Sequence, residues 1–234
     1  MFTYGLLYMV ARGLQGVYSM SMNLPKPYLS YSALSLWRKD REGYRRRYYL
    51  GEKPPETIHT IYGSEIHKLI EDGKLDVEDH PREKYQSEVK LEVEIGGIPV
   101  LGMMDLFNPK TKAVSDIKTG IPRLDGSPRW TQLEVERLDQ LPFYQMMIRA
   151  KYGKVQKTAK LIWLECEWHT VTDTHEFDGH KLTKERRDLR LNGKQHVFKR
   201  VIQPWELDRQ EEMLIRDARE IQKDYYYFTL KHGA

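Results

Sequence analysis

Cysteine is almost absent from this chain, which has a single one, Cys166, among 234 residues. An iron–sulfur cluster of the common type needs four cysteine ligands, so no such cluster can form within the chain. Apolar and polar residues alternate around Cys166, which predicts that it is packed on a strand and is not a nucleophile. So low a cysteine content fits a reducing compartment, and we expect a cytoplasmic protein.

Long apolar runs and a strong excess of one charge are also lacking. Charged residues make up 31% of the chain and the mean hydropathy is −0.68, values that argue against a membrane-spanning segment. The N-terminal stretch is fairly apolar, but its cation, Arg12, follows the apolar residues, an order that a secretory signal does not have. The net charge of +4 is too small to identify a nucleic-acid-binding protein by itself.

The length and the hydrophobic content of 40% support one domain with a sizeable core. We expect residues 1–27 to be a dispensable N-terminal arm and residues 28–234 to form an α/β domain, a central mixed β-sheet flanked by helices. Helices are predicted over residues 29–49, 58–70, 139–148 and 204–228, and strands over residues 88–94, 98–107, 114–120, 159–168 and 196–202. The polar stretch 169–195 is expected to be a loop or a hairpin.

The most informative residues lie on two neighbouring strands of this prediction. Asp116 and Lys118 are two apart on a strand, so their side chains point to the same face. Asp105 lies on the preceding strand, and the turn at residues 108–110 makes the two strands antiparallel. Two carboxylates and an ammonium group then converge, an arrangement that suits Mg²⁺ or Mn²⁺ with a positioned cation. The ordinary alternative is a solvated pair on an edge strand.

Two helices add polar residues at matching positions. Gly63 and His67 are four apart on the predicted helix 58–70, where a glycine permits close approach to the sheet and His67 reaches the metal. Gln140 and Tyr144 are likewise four apart on a helix for which Asp139 is the expected N-cap. Taken alone, each helix also fits a purely structural role. His67 would then be a half-buried histidine, and Gln140 and Tyr144 would form a polar stripe on an amphipathic helix.

These motifs follow one another in a recognisable order: Gly63 with His67, Gly102 with Asp105, Asp116 to Gly120 in the pattern Asp-x-Lys-Thr-Gly, and Gln140 with Tyr144. Over residues 60–145 the series resembles the RecB-like branch of the PD-(D/E)XK nucleases, which includes CRISPR-associated RecB-like exonucleases and small phage nucleases. The chain departs from the CRISPR-associated relatives in lacking their four cluster-binding cysteines.

The resemblance implies a restriction-endonuclease-like fold and one or two Mg²⁺ or Mn²⁺ ions. It implies that His67, Asp105, Asp116 and the carbonyl group of Ile117 bind the metal. It also implies that Lys118 is the catalytic lysine, acting with Asp105 and Asp116. Gln140 and Tyr144 would then orient Lys118 and the DNA.

A basic segment rich in aromatic residues precedes this core. We expect it to contact DNA phosphates and to stack on unpaired bases, although it would also suit a solvated helix face. Its arginines are Arg38, Arg41, Arg45, Arg46 and Arg47. Further along, Glu88, Glu92 and Glu94 share one face of a strand by their even spacing. One of them is an outside candidate for a second metal, against the simpler reading of a solvated charged face.

We therefore expect a metal-dependent deoxyribonuclease, an exonuclease acting at DNA ends in recombination, repair or the processing of phage and mobile-element DNA. A structure-selective endonuclease would use the same residues. A non-catalytic DNA-binding module and a CRISPR adaptation nuclease are further alternatives. The expected partner is DNA, joined by a second copy of the chain or a recombination protein, with no membrane.

Overall fold

The structure, a computed structural model, describes residues 23–177 and 180–233 of the chain. Most of the N-terminal arm expected over residues 1–27 lies outside the described residues. The helices and strands are, in order, α1 Tyr31–Lys39, α2 Arg41–Tyr48, α3 Ile58–Glu71, β1 Gln86–Ile95, β2 Ile98–Asn108, β3 Ala113–Gly120, α4 Gln132–Glu136, α5 Gln140–Tyr152, β4 Thr158–Phe177, β5 His180–Val201 and α6 Pro204–His232.

The strands form one sheet in the order β1-β2-β3-β4-β5. Neighbouring strands are antiparallel except β3 and β4, which run parallel because α4 and α5 lie between them in the chain. The α/β class and the mixed sheet flanked by helices are therefore confirmed. β2 also receives the backbone of Leu29, whose N–H donates to Pro99 O at 2.9 Å and whose carbonyl accepts from Leu101 N at 2.8 Å.

Two hydrophobic clusters cover the sheet. The larger one packs α1, α2, α5 and α6 around buried aromatic residues such as Trp37, Phe143 and Trp163. The smaller one packs Ile66 and Ile70 of α3 against the sheet residues Leu106, Ile117, Ile162 and Leu164. The helices of the larger cluster and α3 of the smaller one therefore bury apolar side chains of the sheet, as a layered α/β fold requires.

The single helix predicted over residues 29–49 is wrong, because the chain forms two helices there. Ser30 caps the first helix by accepting from Ala33 N at 3.3 Å. Asp40 then adopts an extended backbone and caps the second, its side chain accepting from Gly43 N at 2.8 Å. The prediction used Ser30 or Ser32 as the N-cap of one helix, and it did not recognise that Asp40 can end that helix and cap a second one.

β4 and β5 form a hairpin much longer than the sequence indicates. Their register runs from Thr158↔Val201 to Phe177↔His180, with an irregularity between Leu164 and Cys166. The predicted strand 196–202 therefore begins at His180, and the stretch 169–195 belongs to the hairpin. Beyond Cys166 the described residues are mostly exposed, so pairing between the two strands and not burial maintains them. Such strands lack the apolar alternation that identifies a strand in sequence.

The last helix, α6, extends four residues beyond the predicted end, to His232. The apolar spacing of this helix predicts a buried side that includes Trp205, Leu207, Leu214, Ala218 and Ile221. The last four are buried, but Trp205 is 60% exposed, so its placement on the buried side is wrong. Trp205 lies in the first turn of α6, four residues after the chain leaves β5 at Val201. Among the described residues, no helix combines the length and the apolar character needed to cross a membrane.

Three ion pairs join α1 and α2 to α6. Arg38 Nε lies 2.5 Å from Asp217 Oδ2, Arg41 Nη2 lies 2.6 Å from Glu220 Oε2, and Arg45 Nη2 lies 2.5 Å from Asp224 Oδ1. Each pair spans 179 residues of chain. The Asp217 side chain is 3% exposed, whereas those of Arg41 and Glu220 are 59% and 40% exposed. Burial should therefore make the pairs unequal in energy.

The variants Asp217→Ala and Glu220→Ala test this inequality on the same helix. Removing the buried carboxylate leaves the Arg38 charge uncompensated, and we expect the free energy of unfolding to fall by about 2–3 kcal/mol. Removing the exposed Glu220 should cost less than about 1 kcal/mol. Urea denaturation followed by circular dichroism measures both values. Equal losses would contradict the assignment.

Candidate metal centre

The candidate metal centre lies where β2 and β3 separate. The two strands pair over Leu106–Asn108 of β2 and no further, so the next residues of the two strands, Asp105 and Asp116, stand at a fork. Instead of a bond between backbones, the N–H group of Ile117 donates to Asp105 Oδ2 at 2.6 Å. The predicted antiparallel pairing through the turn at residues 108–110 is present, and it brings the two carboxylates to one place.

Asp105 also marks a shift in the alternation of β2. Val100 and Met104, at even positions, belong to the larger core cluster, but further along it is the odd-numbered Phe107 that does so. Opposite Asp105 on β1, Glu88 has φ of 49°, a left-handed conformation that costs a non-glycine residue about 1–2 kcal/mol. This irregularity allows the Glu88 and Asp105 side chains to meet at α3.

His67 of α3 completes a cluster of three potential metal ligands. Its Nδ1 lies 2.7 Å from Glu88 Oε1 and 3.8 Å from Asp105 Oδ1, and one ligand atom from each residue lies within 4.8 Å of the others. Gly63 faces β3, as predicted, but a Cβ there would stand 3.4 Å from Thr119 Oγ1, an ordinary contact distance, so the approach of the helix does not require a glycine.

Asp116 is a fully buried carboxylate, 0% exposed. Lys118 Nζ stands 2.8 Å from its Oδ2, and the charge and the hydrogen bond of Lys118 both favour the ionised carboxylate. Burial raises the pKa of Asp116. Burial, followed by the charge of Asp116, raises the pKa of Asp105 to about 7. Such a pair is costly unless a cation neutralises it.

The chemistry of these residues fits a divalent cation. Glu88, Asp105 and Asp116 offer carboxylate oxygens, the ligands that Mg²⁺ and Mn²⁺ favour, and His67 adds an imidazole nitrogen. The hydrogen bond from His67 to Glu88 raises the pKa of His67, and the nearby charge of Asp105 adds to this. The side chain of Ile117 is buried in the smaller cluster, so only its backbone is available for the metal role predicted for it.

A chain of hydrogen bonds links Lys118 to α5. Lys118 Nζ donates to Gln140 Oε1 at 3.1 Å, and Gln140 Nε2 donates to Tyr144 OH at 3.0 Å. Gly102 of β2 permits this approach of α5, because a Cβ there would stand 2.8 Å from Met147 Sδ and 3.5 Å from Tyr144 Cδ1. The predicted placement of Gln140 and Tyr144 on one helix face is therefore present, and it faces Lys118.

The expected side-chain cap of α5 is wrong. Asp139 occupies the N-cap position, but its backbone is helical and its side chain makes no cap hydrogen bond. Instead, Asp139 Oδ1 accepts from Gln210 Nε2 of α6 at 3.1 Å. The tertiary contact has replaced the local one, which the sequence pattern by itself cannot show.

Glu88 is the residue at this site that the sequence motifs do not include. The even spacing of Glu88, Glu92 and Glu94 was the available signal, and it marked all three alike. The structure separates them, because Glu92 and Glu94 are exposed and Glu92 Oε1 lies 2.5 Å from Lys90 Nζ. Only Glu88, at the backbone irregularity, meets His67.

The basic segment divides into two groups. Arg38, Arg41 and Arg45 hold α6 through the ion pairs described above, a structural role that competes with their predicted contact to DNA. Arg46 Nε lies 4.0 Å from Glu52 Oε2. Arg47 lies over the ring of Tyr48, with its Cζ atom 5.6 Å from the ring centroid.

No family model matches the chain, and no curated protein matches it. Among solved structures, it resembles the crystal structure of a protein from Eubacterium rectale named "putative exonuclease", with a TM-score of 0.50, 14% identity, and coverage of 89% of this chain and 87% of that one. A second crystal structure, of a protein named SSO0001, aligns with a TM-score of 0.36 and 12% identity over 90% of this chain and 83% of that one. The likeness to the first protein is one of fold.

The variants Glu88→Gln and Glu92→Gln test the ligand cluster. Both remove one carboxylate charge from β1, but only Glu88 contacts His67. We expect Glu88→Gln to weaken Mn²⁺ binding by at least about tenfold and Glu92→Gln to leave it within about twofold. Isothermal titration calorimetry with Mn²⁺ measures both. Parental affinity in Glu88→Gln would remove Glu88 from the centre.

Proposed function

We propose that the protein is a metal-dependent DNA nuclease of the RecB-like branch of the PD-(D/E)XK nucleases, acting as an exonuclease at DNA ends. One observation carries the proposal. Asp116 is a fully buried carboxylate that stands beside the second carboxylate, Asp105, with Lys118 Nζ 2.8 Å from its Oδ2. Such an arrangement does not stabilise a fold, and groups with strongly perturbed pKa values of this kind cluster at functional sites.

A bound Mg²⁺ or Mn²⁺ would polarise the scissile phosphate and lower the pKa of the attacking water. His67, Asp105 and Asp116 are the side chains proposed to hold it, with Glu88 beside them. The carbonyl group of Ile117 is proposed as a backbone ligand.

Lys118 is the proposed catalytic cation. Its ammonium group would donate a hydrogen bond to the attacking water or to a phosphoryl oxygen, where negative charge develops. Gln140 holds this group in place through Oε1. Tyr144 fixes the orientation of the Gln140 amide, because the phenol oxygen accepts from Nε2 and so leaves Oε1 toward Lys118.

An open groove beside the centre supports a polymeric substrate. It has a volume of about 770 Å³ and runs along α3 past His67 to Glu88 and Met103. Lys68 and Glu71 also line it, so the groove offers the Lys68 ammonium to a phosphate. The name of the Eubacterium rectale neighbour agrees with the choice of an exonuclease.

Cleavage of end-labelled linear DNA and closed circular DNA tests the proposal. With Mg²⁺ or Mn²⁺ we expect the linear DNA alone to be degraded, and we expect EDTA or Asp116→Asn to abolish the reaction. Cleavage of the circle would identify an endonuclease. No cleavage of either substrate by the parent protein would overturn the assignment as a nuclease.

The role of Lys118 has its own test. Lys118→Ala should lower kcat by about 100- to 1,000-fold with little change in KM, because the hydrogen bond matters most in the transition state. Lys157→Ala is the matched control. Lys157 is exposed and immediately precedes β4. It lies six residues before Trp163, the residue of β4 that pairs with Lys118, so the variant removes the same charge outside the site. A parental rate in Lys118→Ala would contradict the role.

A further inference from the structure

A second cavity lies on the α5 side of the centre. Its volume is about 310 Å³, and it is enclosed by the start of α1, the end of α2, β2 and α5. This volume is at the lower end of the range of about 300–1,000 Å³ that is typical of small-ligand sites. One base with its phosphate suits such a space, whereas a DNA duplex does not enter it.

The lining of this cavity combines cations with tyrosines. Lys26 and Arg47 line it together with Tyr28, Tyr31 and Tyr48, and its lining includes no aspartate or glutamate. Both cations lie by the ring of Tyr48, with Lys26 Nζ at 5.1 Å and the Arg47 Cζ atom at 5.6 Å from its centroid. Neither forms an ion pair within the part of the chain that the structure describes, unlike the arginines that hold α6. Their positive charge is therefore available to a bound anion.

The cavity adjoins the proposed catalytic residues. Gln140 and Tyr144 belong to its wall, and Gln140 Oε1 is 3.1 Å from Lys118 Nζ. A nucleotide seated in the cavity is thus separated from the Lys118 ammonium by a single amide side chain. Met103 lines both this cavity and the open groove on the α3 side, so the two spaces adjoin at this residue.

We propose that this cavity binds one unpaired nucleotide of a DNA strand next to the scissile phosphate, with Lys26 and Arg47 holding its phosphate and the tyrosines stacking on its base. The inference rests on the proposed function and adds to it a substrate class, strands with unpaired ends. Tyrosine rings stack on any base, so the site selects the unpaired state of the base and not its identity.

Binding of a short fluorescein-labelled oligothymidine, and of a blunt duplex of equal length, tests the proposal in EDTA by fluorescence anisotropy. We expect the parent protein to bind the single strand more tightly than the duplex. Arg47→Ala and Tyr48→Leu should each lower single-strand affinity by about tenfold and affect the duplex less. Because EDTA prevents cleavage, this readout is independent of whether the protein is a nuclease.

Arg219→Ala is the matched control. It removes the same charge from an exposed position of α6 outside the cavity, and it should leave both affinities within about twofold. Lys26→Ala, outside any helix or strand, provides a second test if Tyr48→Leu lowers the melting temperature, and it should also weaken single-strand binding. Parental single-strand affinity in both Arg47→Ala and Lys26→Ala would overturn the proposal. So would equal losses for single strand and duplex, which would indicate general charge attraction.

Discussion

The fork between β2 and β3 is the constraint on which the candidate site depends. In an ordinary antiparallel pair, Asp105 and Asp116 would lie opposite each other within a continued ladder. Here the Asp105 carboxylate accepts the Ile117 N–H group and so occupies the position of a strand partner. On its other side, β3 remains paired in parallel with β4 from Ser115 to Gly120, so the strand keeps its place in the sheet beyond the fork. One side-chain hydrogen bond thereby opens a recess lined by carboxylates between two interior strands of the sheet.

The recess lowers the stability of the fold. Burial raises the pKa of both aspartates, the charge of Asp116 raises that of Asp105 further, and Glu88 adds a strained backbone. Structures keep such features where a ligand uses them, and a bound cation would remove most of the electrostatic cost. Lys118 is held at the site from two sides, by the Asp116 carboxylate at 2.8 Å and by Gln140 Oε1 at 3.1 Å.

Cations of the basic segment serve two purposes. Those on one side of α1 and α2 meet acids of α6 at matching intervals, so two helices close in sequence are joined to one far away. Arg47, near the end of α2, points to the cavity with Lys26 instead. A segment that looks uniform in sequence therefore contributes both to stability and to a surface that attracts anions, and only the directions of its side chains separate the two.

The sequence by itself determined the local parts of this protein. Alternation and the turn at residues 108–110 predicted the antiparallel pair that carries Asp105 and Asp116, and helical spacing predicted the faces with His67, Gln140 and Tyr144. These patterns are local, because they depend on residues within a few positions of one another. Tertiary structure alone decided the separation of the strands, the selection of Glu88 from three equivalent glutamates, the Asp139 contact with α6 and the length of the β4–β5 hairpin. Each of these depends on a partner distant in sequence or on pairing without burial, and neither leaves a periodic signal along the chain.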